Sequence, residues 1–207
     1  HTGDAGYLEA DGHLVVIDRA NDVLEAADGT LFSPAFVENK LKFSAHVDEA
    51  VVFGGSDRPF VTAMISIDPE TVGTWAERNH ISYTTYTDLA QKPEVSALVG
   101  EAVARANEDL PESIRIRRFV LLHKQLDADD EELTRTRKVR RTTISRRYGD
   151  IVDALYGDAD EVTVTTVVTY QDGSQAEREI TLALASADGA APPPAKRRIR
   201  ELIGAGS

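Results

Sequence analysis

The chain is 207 residues long, 42% hydrophobic and 28% charged, with a formal charge of −12, which allows one or two domains with a proper core and excludes a globally disordered polymer. It has no Cys, and its five His (His1, His13, His46, His80, His123) are scattered, so disulfides, thiolate zinc sites and an intrinsic transition-metal site are not expected. No apolar run approaches the roughly 18 residues of a membrane span, and no stretch has the order of a secretory signal.

In chain order, the first twenty residues read as a β-hairpin. GYLEADG pairs with HLVVIDR across Asp11-Gly12, a strong turn dipeptide between apolar runs. Ser33-Pro34 then marks a helix start, with Ser at the N-cap and Pro in the first turn, and PAFVENKLKFS follows at helical spacing. EAVVFGG and FVTAMISI are strands whose continuous apolar character predicts burial on both faces. TVGTWAERN predicts a helix, and residues 94–108 another, with Val95, Leu98, Val99, Ala102, Val103 and Ala106 on one stripe. IRRFVLL is a short strand.

After the acidic loop DADDEE, a final helix is expected to carry Ile144, Tyr148, Ile151 and Leu155 on one face. From residue 162 the apolar period changes to two, predicting a second hairpin around Asp172-Gly173. ADGAAPPPAK then reads as a linker before a basic tail. The expected fold class is α+β: a three-stranded mixed sheet with flanking helices over residues 22–157, preceded by a hairpin with no core of its own (1–21). An accessory hairpin (158–187) and a linker with tail (188–207) follow.

The charge is uneven. Residues 135–147 (RTRKVRRTTISRR) hold seven basic residues and no acid, and KRRIR at 196–200 holds four more. The acidic background disfavours a nucleic-acid partner, whereas a local basic segment suits one anionic ligand such as a nucleotide. Taken alone, the segment reads more plainly as a solvated helix start or tail.

The order of motifs carries further. HTGDAGYLEADGHLVVIDRANDVLEAADGTLFSPAFVENKL resembles the adenylate-forming acyl-CoA synthetase superfamily, with its TGD, an Asp-Gly turn, an R-x-x-D, a glycine loop and P-x-x-V-E opening a helix. ELTRTRKVRRTTISRRYGDIVDALY is similar to that family's C-terminal lysine motif, and RPFVTAMISIDPETVGTWAERN with RRFVLL is most similar to its long-chain fatty acid branch. The resemblance covers about residues 1–157. It implies that Lys138 assists adenylate formation, because acid attack on ATP adds negative charge at the α-phosphate, which a lysine can neutralise.

It further implies that Asp4 and Arg19 bind the nucleotide, that Asn21 is the interdomain hinge, and that Gly29 lines the pantetheine tunnel. Each also has a plain reading: an Asx-type turn for Asp4, a surface ion pair for Arg19, loop residues for Asn21 and Gly29. Arg135 stands where the family usually has Pro. The implied whole is an ATP-dependent fatty acid–CoA ligase using ATP, CoA and Mg²⁺, whose own N-terminal adenylation domain, with the phosphate loop and acyl pocket, is the partner of this chain. On that reading the opening HTGD is a point inside a larger enzyme, and the chain alone is silent. A cytoplasmic setting is expected, with peripheral membrane contact through the tail as one further role. Other readings are the distal domain of an aryl-CoA ligase or a peptide-synthetase adenylation module, or a non-catalytic binding module.

Overall fold

The computed structural model describes residues 4–8, 11–19, 22–169 and 175–187. Strands β1 (Asp4–Leu8) and β2 (Leu14–Arg19) form the expected antiparallel hairpin, with Asp4 opposite Arg19 in the register. Its turn is fixed by the Asp11 carboxylate, which accepts from the His13 amide at 3.0 Å, and by Gly12 at φ 88°. A second, very short hairpin follows, β3 (Leu24–Glu25) with β4 (Leu31–Phe32), turning at Gly29. Helix α1 (Pro34–Lys42) begins where expected: Ser33 Oγ accepts the Phe36 amide at 3.2 Å and Pro34 opens the first turn.

The core is built on a five-stranded sheet of order β5-β6-β7-β9-β8. Strands β5 (Val47–Phe53) and β6 (Val61–Ile67) are antiparallel neighbours. Strand β7 (Ile116–Leu121) pairs parallel with β6, so the chain must cross over between them. The crossover carries α2 (Pro69–Arg78), α3 (Tyr86–Ala90) and the long α4 (Pro93–Glu108). Helix α2 starts two residues before the expected Thr71, because the Asp68 carboxylate accepts the Thr71 amide at 2.7 Å and Pro69 takes the first helical position.

The three strands foreseen from the sequence are therefore present, and the hairpin β8 (Glu161–Thr169) with β9 (Gln175–Ser186) extends them to five. Far from standing apart, β9 docks along β7, with Ala185 opposite Phe119. The turn between β8 and β9 lies outside the described residues, as does the tail 188–207.

Alternation along the strands feeds two cores. Ala63, Ile65 and Ile67 of β6 face α1, α2 and α4 with Val37, Leu41, Val72, Val99 and Phe119. Met64 points to the other side, where Val51, Val120, Leu182 and Leu184 meet Ile144, Ile151 and Leu155. Burial on both faces is why the strands read as unbroken apolar runs. The expected final helix is two: α5 (Arg141–Arg147) and α6 (Gly149–Tyr156), broken at Tyr148, whose φ of −110° and ψ of 21° leave helical geometry. The predicted stripe of Ile144, Tyr148, Ile151 and Leu155 is nonetheless buried throughout. Arg118 of β7 fastens the end of α6 by donating to the carbonyls of Leu155, Gly157 and Ala159. Among the described residues no helix is long and apolar enough to cross a membrane.

Candidate functional site

Between β7 and α5 the chain makes a tight loop. Leu133 and Val139 bridge its two arms, and the Arg140 amide closes the base on the Glu132 carbonyl at 2.8 Å. Thr134 organises the inside: its amide donates to the Lys138 carbonyl at 2.8 Å, its carbonyl accepts from the Arg137 amide at 2.9 Å, and its hydroxyl accepts from the Lys138 amide at 2.9 Å. Arg137 sits at φ 59°, in the left-handed region that non-glycine residues rarely use. Its guanidinium reaches Asp48 at 2.8 Å, tying the loop tip to β5. Lys138 stands on this platform with its ammonium 3.7 Å from the Asp22 carboxylate.

The loop overlooks a cleft of about 380 Å³ lined by four carboxylates, Asp18, Asp22, Glu38 and Glu49, and four cations, Lys42, Arg137, Lys138 and Arg141. Two cations are committed to buried acids and a third to the half-buried Asp48. Arg141 pairs with Glu38 and also donates to the Val52 carbonyl at 3.0 Å; Lys42 meets Glu49 at 2.8 Å; Arg137 meets Asp48. Burial raises the Glu38 pKa, and Arg141 and the Val52 amide offset only part of that. Lys138 differs: its side chain is 73% exposed and its partner Asp22 is 42% exposed. A solvated pair at that distance contributes little, so Lys138 can exchange Asp22 for an incoming anion.

The hairpin is joined to the cleft through Ser33. Its hydroxyl caps α1 and donates to Asp18 of β2 at 2.5 Å. Asp18 and Asp22 flank Arg19 in sequence, and Arg19 faces Asp4 across the backbone ladder. The structure therefore sets the hairpin whose backbone carries Asp4 and Arg19 beside the Lys138 cleft, which it lines through Asp18. Asn21 lies outside the described residues.

Gly29 is not part of the cleft. It turns the β3–β4 hairpin at φ 88°, and beside it the Thr30 hydroxyl pairs with Ser113 at 3.1 Å. A Cβ there would meet only Glu25 Oε1, at 3.9 Å, so the glycine is required by the backbone angle and not by crowding.

Several residues escaped sequence reasoning. Asp22 was visible within R-x-x-D, and Ser33 was read only as a cap. Glu132 was hidden in DADDEE, where nothing in the string separates the one buried acid from its solvated neighbours. Among the described residues there is no group of three or more His, Cys, Asp or Glu placed to hold a metal ion.

A model of the AMP-binding enzyme C-terminal domain family matches residues 21–160. The chain belongs to that family. It is 33% identical over 156 residues to the long-chain-fatty-acid–CoA ligase FadD15 of Mycobacterium tuberculosis, covering 75% of this chain and 26% of that protein. It is 26% identical over 164 residues to the peroxisomal long chain acyl-CoA synthetase 7 of Arabidopsis thaliana, covering 76% and 23%. The chain thus spans about a quarter of the length of the curated relatives it matches. Among solved structures, the adenylation domain of a carboxylate reductase from Mycobacterium chelonae has a TM-score of 0.59 at 23% identity over 76% of this chain and 23% of that one, and shares the fold.

Proposed function

We propose that this domain serves an ATP-dependent long-chain fatty acid–CoA ligase, in which acid, ATP and CoA become acyl-CoA, AMP and pyrophosphate through an acyl-adenylate. The observation that carries this reading is the state of Lys138. Of the four cations lining the cleft, it has the most exposed counter-ion and the longest pairing distance, and it rides on a loop held by the hydrogen bonds of Thr134 and Arg140. As the acid's oxygen attacks, charge grows on the α-phosphate, and an ammonium delivered there stabilises it without reorganising a competing ion pair. Asp4 and Arg19 hold the nucleotide from the adjoining hairpin, and Asn21 is the hinge about which the domain turns between half-reactions. Gly29 faces the pantetheine arm of CoA in the second half-reaction, on a part of the domain away from the Lys138 cleft.

The partner domain is the enzyme's own N-terminal adenylation domain, which supplies the phosphate loop, the acyl pocket and the contacts of the Mg²⁺ that accompanies ATP. The exposed rings of Phe36 (53%) and Phe43 (88%) on and after α1 offer it an apolar foothold. We place the ligase in the cytoplasm and assign the basic sequence at 196–200 a peripheral membrane contact.

A panel of acids tests the reading. The ligase carrying this domain is expected to turn over C12–C18 fatty acids faster than benzoate or amino acids, and the 207-residue chain alone is expected to form no thioester. A preference for aryl or amino acids would overturn the substrate class, and turnover by the chain alone would overturn its dependence on a partner domain.

A further inference from the structure

We infer that Glu132 is the positioning residue for Lys138, an inference that rests on the proposed role of Lys138 in adenylate formation. The Glu132 side chain is fully buried, yet both carboxylate oxygens are engaged twice. Oε1 accepts from the Tyr148 hydroxyl at 2.7 Å and from Arg147 at 2.8 Å; Oε2 accepts from the Asp127 amide and the Lys124 ammonium, each at 3.0 Å. These donors come from the strand exit after β7, the loop at 127, the end of α5 and the joint between α5 and α6. One carboxylate therefore gathers four chain segments at the base of the loop that presents Lys138.

The backbone of Glu132 completes the link. Its amide donates to the Asp127 carbonyl at 3.0 Å, and its carbonyl accepts the Arg140 amide that closes the loop. Two non-glycine residues in the left-handed region, Glu131 at φ 60° and Arg137 at φ 59°, bracket the same segment. Such conformations persist only where the surroundings over-determine them. Arg137 is held from outside by Asp48, and Glu131 is held by the hydrogen bonds of its neighbour Glu132. At the α5–α6 junction the Tyr148 ring is buried and its hydroxyl donates to Glu132, which ties that junction to the same carboxylate. A buried acid whose every lone pair is used fixes geometry, and removing part of it leaves buried donors without acceptors.

The test compares Glu132→Gln and the milder Tyr148→Phe, which removes one donor. In the 207-residue chain, hydrogen exchange at the Lys138 and Arg140 amides is expected to quicken roughly tenfold or more in Glu132→Gln and less in Tyr148→Phe, with β6 amides unchanged. In the ligase, Glu132→Gln is expected to slow adenylate formation roughly tenfold to a hundredfold in kcat. The KM for ATP and thioester formation from supplied acyl-adenylate should hold. A purely structural role would slow both half-reactions together and speed exchange in β6 as well; that result, or unchanged exchange at Lys138 in both variants, overturns the inference. Should Glu132→Gln fail to fold, Tyr148→Phe alone decides. A parallel Lys138→Ala variant that keeps full adenylate formation would sink the functional reading, while the exchange data would still judge whether Glu132 holds the loop.

Discussion

Thr134 does the stiffening that the family resemblance assigns to a proline at the next position, where this chain has Arg135. Its amide, carbonyl and hydroxyl each hold a different backbone group of the Arg137–Lys138 turn, so loop rigidity is kept by hydrogen bonds in place of a ring. The sequence showed the departure at Arg135 but not the compensation, because a threonine's partners depend on where a turn closes. Gly29 illustrates a different case, a residue singled out from the string that occupies a left-handed turn. Gly29→Ala is expected to cost about 1–2 kcal/mol in urea unfolding, since a Cβ is disfavoured at φ 88° even in open space. In the ligase the same variant should raise the KM for CoA more than that for ATP. A stability loss with an unchanged KM for CoA would leave Gly29 as a turn residue only.

At the level of elements, caps and alternation were legible and junctions were not. Ser33-Pro34 announced α1, and the apolar runs at 47–53 and 61–67 announced two buried strands. The α5–α6 junction was hidden because the apolar stripe runs unbroken across it, and the contact of Tyr148 there is with an acid sixteen residues away. The second hairpin was also readable as a hairpin, but not as part of the main sheet. Its inward residues Leu182 and Leu184 lie buried against α6 and β7, so it belongs to the core. Leu182→Ala is accordingly expected to destabilise the chain by about 2–5 kcal/mol, the range for truncating a buried leucine. A loss below about 1 kcal/mol in equilibrium unfolding would instead mark the hairpin as peripheral.

Across the whole molecule, two helical layers cover one sheet, and titratable groups are sealed between them. Burial, with Lys124 nearby, lowers the pKa of His123 below its ordinary 6.5. The unfolded chain therefore binds a proton that the folded one refuses, and stability falls as pH drops below 6.5. For Glu132, burial would raise the pKa, but hydrogen bonds from Tyr148, Arg147, Asp127 and Lys124 together outweigh it and hold the carboxyl below 4.5. Its contribution is present above 4.5 and is lost as pH falls through the lowered folded value. Glu38 runs the other way: its raised pKa means acidification eases the cost of its burial. Unfolding free energy is thus expected to decline from pH 7 to pH 5 in the wild-type chain, and His123→Gln should flatten that slope. An equal slope in both would show that His123 is not its source.

The arrangement of the whole domain, a braced loop presenting the exposed Lys138 ammonium beside the β1–β2 hairpin, bears on a single claim about chemistry. Acid-dependent exchange of labelled pyrophosphate into ATP reads adenylate formation directly. In the ligase carrying this domain, Lys138→Ala should reduce that exchange roughly 100- to 1000-fold while leaving thioester formation from supplied acyl-adenylate and CoA largely intact. Undiminished pyrophosphate exchange in Lys138→Ala would contradict the account.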